Sequence, residues 1–120
     1  MSQSQLTTKD RMNVLSCLPY GVGHSQDGVC LLVRMGPYRI LLDCGLADIR
    51  PLQSGKKPPA DLVFCTHAHA DHARGILPLH LAFPQMPIYA SDVTVKLLPL
   101  NWSRSTVDFC QSLPWQTPIE

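Results

Sequence analysis

Six consecutive positions, His67-Ala68-His69-Ala70-Asp71-His72, hold three imidazoles and a carboxylate, and no other stretch restricts the fold of this chain as tightly. Three of the five histidines in the sequence fall in this window. The window follows directly on Leu62-Val63-Phe64-Cys65, a short apolar run that reads as a buried strand. In extended backbone, residues two apart leave on the same side, so His67 and His69 can close on one ion. A turn into helix just after His69 would lean Asp71 and His72 towards a second, adjacent ion. The window thus calls for a strand whose C-terminal end carries the ligands, as in open α/β sheets.

The preceding sequence supplies neighbours for that strand. Gly28 to Met35 and Tyr38 to Cys44 are rich in Val, Ile, Leu and Cys, and Gly36-Pro37 between them predicts a β-hairpin. Asp43 is a carboxylate closing an apolar run, and burying it without a partner would be costly. Its partners are then either the imidazoles of the motif or backbone N–H groups, including those of a turn at Gly45 and Leu46. Met12 to Leu18 reads as a first strand ended by a turn at Pro19-Tyr20-Gly21, and Gly21 to Ser25 as a loop in which His24 either touches substrate or is simply exposed. Leu46 to Pro59, with three prolines and a glycine, reads as loop with one helical turn near Ala47 to Arg50. Lys56 and Lys57 there are either solvated or in reach of a phosphate backbone.

After the motif, Ala70 to Leu79 has the composition of a helix interrupted at Pro78. Arg74 within it is either structural or steadies an anionic group. His80, flanked by leucines, reads as a residue at a helix surface or core edge. Pro87 to Ala90 predicts another strand, and Ser91 or Asp92 an N-cap for a helix carrying Val93, Val95, Leu97 and Leu98. Asn101 to Ser112 predicts a short helix containing Val107, Phe109 and Cys110. Residues 1–11 are expected to be flexible, residues 12–112 to form one domain, and residues 113–120 an extended tail that leaves Trp115 in need of a surface.

The residues His67-x-His69-x-Asp71-His72 resemble the signature of the metallo-β-lactamase fold superfamily, whose members are mostly dinuclear metal hydrolases. Leu41-Leu42-Asp43-Cys44-Gly45 is similar to that family's first motif, a strand ending in Asp-x-Gly, and Pro87 to Ser91 to its next strand and turn. The resemblance implies an α/β fold, the N-terminal half of an αββα sandwich: a mixed sheet with helices on one face. It also implies roles. His67 and His69 would hold one metal and Asp71 and His72 another, Asp71 being the catalytic carboxylate, while Asp43 would orient a ligand histidine through its free ring nitrogen.

Such nitrogen and oxygen donors suit zinc, one or two ions, with manganese or iron compatible with the same set. Two ions about 3.5 to 4 Å apart would activate a bridging water and stabilise the oxyanion of an ester or phosphodiester. The family draws its remaining ligands from a second half that these residues do not span, so each ion would have about two protein donors where a catalytic zinc usually has three. A non-catalytic fragment is therefore one reading of the chain alone.

Tyr89 to Leu98 is similar to the corresponding stretch of the β-CASP branch, the RNA- and DNA-processing nucleases. This implies a phosphodiesterase or ribonuclease acting on single-stranded RNA or DNA. A thioester or lactone hydrolase of the same fold is the alternative. No nucleophile elbow, Walker loop or dinucleotide-binding glycine pattern points to other chemistry.

Composition bears on the setting. A net charge of +1 creates no strong field for nucleic acid or anionic membrane. The five cysteines show no CxxC pairing and lie mostly in apolar runs, which fits a reducing, cytoplasmic compartment. Ser2 to Asp10 is polar and is expected to be neither a signal nor a membrane span. The exposed face of a half-sandwich would be apolar, which predicts self-association.

Overall fold

The computed structural model describes residues 15–23, 28–102 and 109–113. Six strands form one mixed sheet in chain order: β1 (Leu15–Val22), β2 (Val29–Met35), β3 (Tyr38–Leu42), β4 (Leu62–Cys65), β5 (Ile88–Ala90) and β6 (Cys110–Ser112). The first three pair antiparallel and the last four, from β3 on, pair parallel. Two helical segments, α1 (Ala70–Ala73) and α2 (Ile76–Ala82), cross from β4 to β5, and α3 (Asp92–Leu97) crosses from β5 towards β6. This is the expected α/β half-sandwich.

Strand alternation divides the sheet into two unlike faces. Cys30, Leu32, Leu41, Val63, Cys65, Ile88 and Ala90 share one face through the ladder register and are buried, together with Ile76, Leu79 and Leu98 from the crossovers. Burying one such Leu or Ile is worth roughly 1.5–3 kcal/mol, so this face dominates the core. Leu31, Val33, Ile40, Leu42, Leu62, Phe64 and Tyr89 share the other face and are only half-buried.

The hairpin at Gly36-Pro37 forms as expected, with Gly36 at φ 59°. Ser91 caps α3, its Oγ accepting from the Thr94 backbone N–H at 3.1 Å. Four expectations require correction. Pro19-Tyr20-Gly21 does not end β1; the strand runs on to Val22 through a bulge between Pro19 and Gly21. A proline is tolerated there because, among the described strands, β1 lies at the sheet edge, where a missing N–H costs no second ladder.

The helical turn after the hairpin is a 3₁₀ turn at Arg50–Gln53, because Asp48 accepts from the Arg50 backbone N–H at 3.0 Å and Pro51 suits the first turn. Pro78 does not interrupt a helix. It lies in the first turn of α2, where its absent N–H is not needed. The break falls at Arg74-Gly75 instead, where the Gly75 N–H bonds to the Cys44 carbonyl at 2.8 Å. Finally, Cys110 belongs to strand β6 rather than to a helix, since β5 offers it a free parallel edge.

Residues 1–14, His24, residues 103–108 and the tail 114–120 with Trp115 lie outside the described residues. Among the described residues, no helix is long and apolar enough to cross a membrane.

Candidate metal centre

The parallel strands β3 and β4 end side by side, which places Asp43 and the His67 to His72 loop at the same end of the sheet. Asp43 has φ 63°, in the left-handed region that Asp enters more readily than most residues. This reversal turns its carboxylate back under the loop, and the residue is 3% exposed. Oδ1 accepts from the Thr66 backbone N–H at 2.6 Å, and Oδ2 accepts from the Thr66 hydroxyl at 2.7 Å. Oδ2 also meets His72 Nδ1 at 2.8 Å.

Donor bookkeeping then sets two ring tautomers. A carboxylate accepts only, so the proton on the His72–Asp43 contact sits on Nδ1 and the His72 Nε2 keeps its lone pair. The Thr66 hydroxyl has one hydrogen and gives it to Asp43. Its contact with His67 Nδ1, at 2.8 Å, is therefore an N–H donated by the ring, and His67 Nε2 likewise keeps its lone pair. One buried carboxylate thus presents two imidazole nitrogens to a ligand.

The remaining donors stand close by. The His67 and His72 ring centres are 4.3 Å apart, those of His67 and His69 5.9 Å, and His72 Nε2 lies 3.8 Å from Asp71 Oδ2. Among the described residues, no group of three or more His, Cys, Asp or Glu is arranged to hold an ion. The donor chemistry, imidazole nitrogen with carboxylate oxygen, fits a divalent metal.

Cys65, next to the motif, is not a further donor in this arrangement. Burial, with the Asp43 charge adding to it, pushes its thiol up to about 12, and the thiol donates to the His67 carbonyl at 3.0 Å. Deeper in, the bond to Cys44, burial and the Asp43 charge hold the Cys30 thiol well above its ordinary range.

The loop is braced from three sides, by Gly45 and by Arg74 in the structural role that was one of its two readings, and also by residues that sequence reasoning passed over. Gly45 lets the chain after Asp43 lie against the motif: a Cβ there would stand 1.7 Å from the Asp71 carbonyl oxygen. The Cys44 N–H accordingly reaches the His72 carbonyl at 3.0 Å. Arg74 Nε donates to the Gly45 carbonyl. From the far side, Asn101 Nδ2 donates to the Ala68 carbonyl at 2.7 Å and Trp102 Nε1 to the Arg74 carbonyl at 3.2 Å. The Asp-x-Gly spacing was the one available signal for Gly45; Thr66, Asn101 and Trp102 had none. His80 stays apart from this cluster, stacked on Phe109 with ring centres 4.1 Å apart.

A mixed sheet with helices on one face and a His-x-His-x-Asp-His loop at its strand ends defines the metallo-β-lactamase fold. Solved structures share it. The metallo-β-lactamase fold protein YhfI from Bacillus subtilis matches with a TM-score of 0.58 at 24% identity, over 90% of this chain and 46% of YhfI. A B3 metallo-β-lactamase with an active-site glutamic acid matches with a TM-score of 0.54 at 16% identity, over 89% of this chain and 48% of that one. The family model for the beta-lactamase superfamily domain matches residues 38–117, and the chain belongs to that superfamily.

Among curated proteins, the uncharacterized protein sll0514 of Synechocystis sp. is 54% identical over 107 residues, 88% of this chain and 19% of that protein. Ribonuclease TTHA0252 of Thermus thermophilus is 30% identical over 89 residues, 69% of this chain and 21% of the ribonuclease. The chain therefore spans about a fifth of the length of these relatives, and about half of the matched structures.

Proposed function

We propose that these residues form the motif-bearing half of a metal-dependent phosphodiesterase, a ribonuclease of the β-CASP type acting on single-stranded RNA or DNA. The observation that carries the hydrolase reading is the Asp43 carboxylate, which leaves Nε2 of both His67 and His72 as lone-pair donors. The likeness to a ribonuclease at 30% identity supports the phosphodiester substrate.

His67 and His69 would hold one ion, and Asp71 and His72 the other, with zinc the best match to the donors and manganese or iron compatible. When bound, such ions supply a Lewis acid and an activated water. The chain's own part is to hold the rings in one tautomer, to keep Asp71 exposed beside His72, and to exclude water from Asp43 by burial. We place the protein in the cytoplasm, in keeping with five unbonded cysteines. Its half-buried apolar sheet face suits contact with a second copy when the chain stands alone.

Elemental analysis of the purified chain, beside a His67→Ala, His69→Ala variant prepared identically, tests the site. Zinc should be present in the wild type and lost in the variant; equal traces in both would remove the metal-site reading. Incubation of the zinc-loaded chain, and of a longer polypeptide containing it, with single-stranded RNA should yield cleavage. Turnover of a thioester in place of RNA would shift the assignment to the thioesterase alternative.

A further inference from the structure

We infer that a cavity at the opposite end of the sheet from the His motif binds a small phosphate monoester, of the size and character of a nucleoside monophosphate. The cavity, about 490 Å³, lies between the β1–β2–β3 edge and the loop that carries Ser54 and Lys57. Small-molecule sites commonly enclose ~300–1,000 Å³.

Its charge is the unusual feature. Arg34 on β2 and Arg39 on β3 are direct partners in the antiparallel ladder, so both side chains leave the sheet on one face. Like charges directly opposite each other destabilise a sheet, and a fold gains nothing from such a pair by itself. Lys57 joins them from the loop. Asp61 pairs with Arg39, its Oδ1 3.5 Å from Nη2, while its Oδ2 accepts from the Arg39 backbone N–H at 2.8 Å. Among the described residues, no carboxylate lies within ion-pair distance of Arg34 or Lys57. Three cations less one carboxylate leave two positive charges facing a single cavity.

Two excess charges match a phosphate monoester, which is close to a dianion at neutral pH, better than a carboxylate. The arginine fork suits its oxygens. Ser16 lies across the ladder from Arg34 and lines the cavity together with Ser54. The floor is apolar, formed by the buried Leu32 and Leu52. A ligand with a charged head and a flat apolar body fits this division, whereas inorganic phosphate would leave the floor wet.

The site is separate from the metal motif. Arg39 and Asp43 are four residues apart along β3 and its extension, or about 13 Å at ~3.3 Å per residue. A monoester seated here would not reach the His67 to His72 loop. It would relieve the repulsion between Arg34 and Arg39 and tie the loop to the sheet edge.

Calorimetric titration of the 120-residue chain with AMP, adenosine and inorganic phosphate, with a metal chelator present, tests this. AMP should bind saturably below about 1 mM, and both adenosine and inorganic phosphate at least about tenfold more weakly. Arg34→Gln and Lys57→Gln, both at exposed positions and checked for folding by circular dichroism, should each weaken AMP about tenfold. Absence of saturable AMP binding, indifference to both substitutions, or equal affinity for adenosine would overturn the proposal. So would AMP binding that disappears on adding the chelator, since the phosphate would then sit on the metal motif.

Discussion

Thr66 does more at the motif than its position beside the histidines suggests. Its hydroxyl donates to Asp43 and accepts from His67, so a single oxygen relays the carboxylate's influence to a ring Asp43 does not touch. Replacing it with valine keeps the shape and removes the relay. In Thr66→Val, the ¹⁵N shifts of His67 should move from a single Nδ1–H tautomer to a mixture, while His72 stays as it was. Zinc affinity should fall by about tenfold, at the low end for partners that orient metal ligands. Thr66→Ser should restore both. A His67 tautomer unchanged in the valine variant would remove Thr66 from this role. The bond to Asp43 was not legible beforehand: Thr66 and Asp43 are 23 positions apart, and only the pairing of β3 with β4 makes them neighbours.

Among the elements, the link between the end of β3 and the motif loop is the most demanding. Gly45 is needed there for space, since a methyl group would stand 1.7 Å from a backbone carbonyl that has no rotamer to yield. Gly28 adds a second close approach at φ 63°, its Cβ position lying 2.2 Å from the Gly45 carbonyl oxygen. Gly45→Ala should therefore cost on the order of 3 kcal/mol in urea unfolding, near the upper end for overpacking. The surviving folded fraction should also bind zinc more weakly, because the loop must shift. A loss below about 0.5 kcal/mol, the level of a typical surface substitution, would mean that the packing against Asp71 is looser than described.

The strands around this link were readable because each is an apolar run closed by Gly, Pro or Asp. Strand β6 was not. Its three residues carry no periodicity, and they are extended because β5 leaves an edge open to them. The break at Arg74-Gly75 was hidden for a similar reason, since Gly75 gives its N–H to Cys44 across the fold.

At the scale of the whole molecule, the described helices close one sheet face and not the other. Leu31, Val33, Ile40, Leu42, Phe64 and Tyr89 form a continuous half-buried surface, with the Phe64 and Tyr89 rings 5.9 Å apart. Water at such a surface favours association. Light scattering of the isolated chain should show mass rising with concentration, and Val33→Lys with Phe64→Lys should return it to 13.3 kDa. A wild type that stays at that mass across the range would show that the face is tolerated in water.

The sequence by itself determined the local features: which runs become strands, where the glycines turn them, and that three imidazoles and a carboxylate share one loop. These are set by neighbours within a few residues, through periodicity, capping and turn geometry. The tertiary structure decided which nitrogen of each ring is free, which residues brace the loop, and that the loop with Ser54 and Lys57 closes a cavity over Arg34 and Arg39. Those outcomes depend on ladder register and on hydrogen bonds spanning 20 or more residues, and no local pattern encodes them.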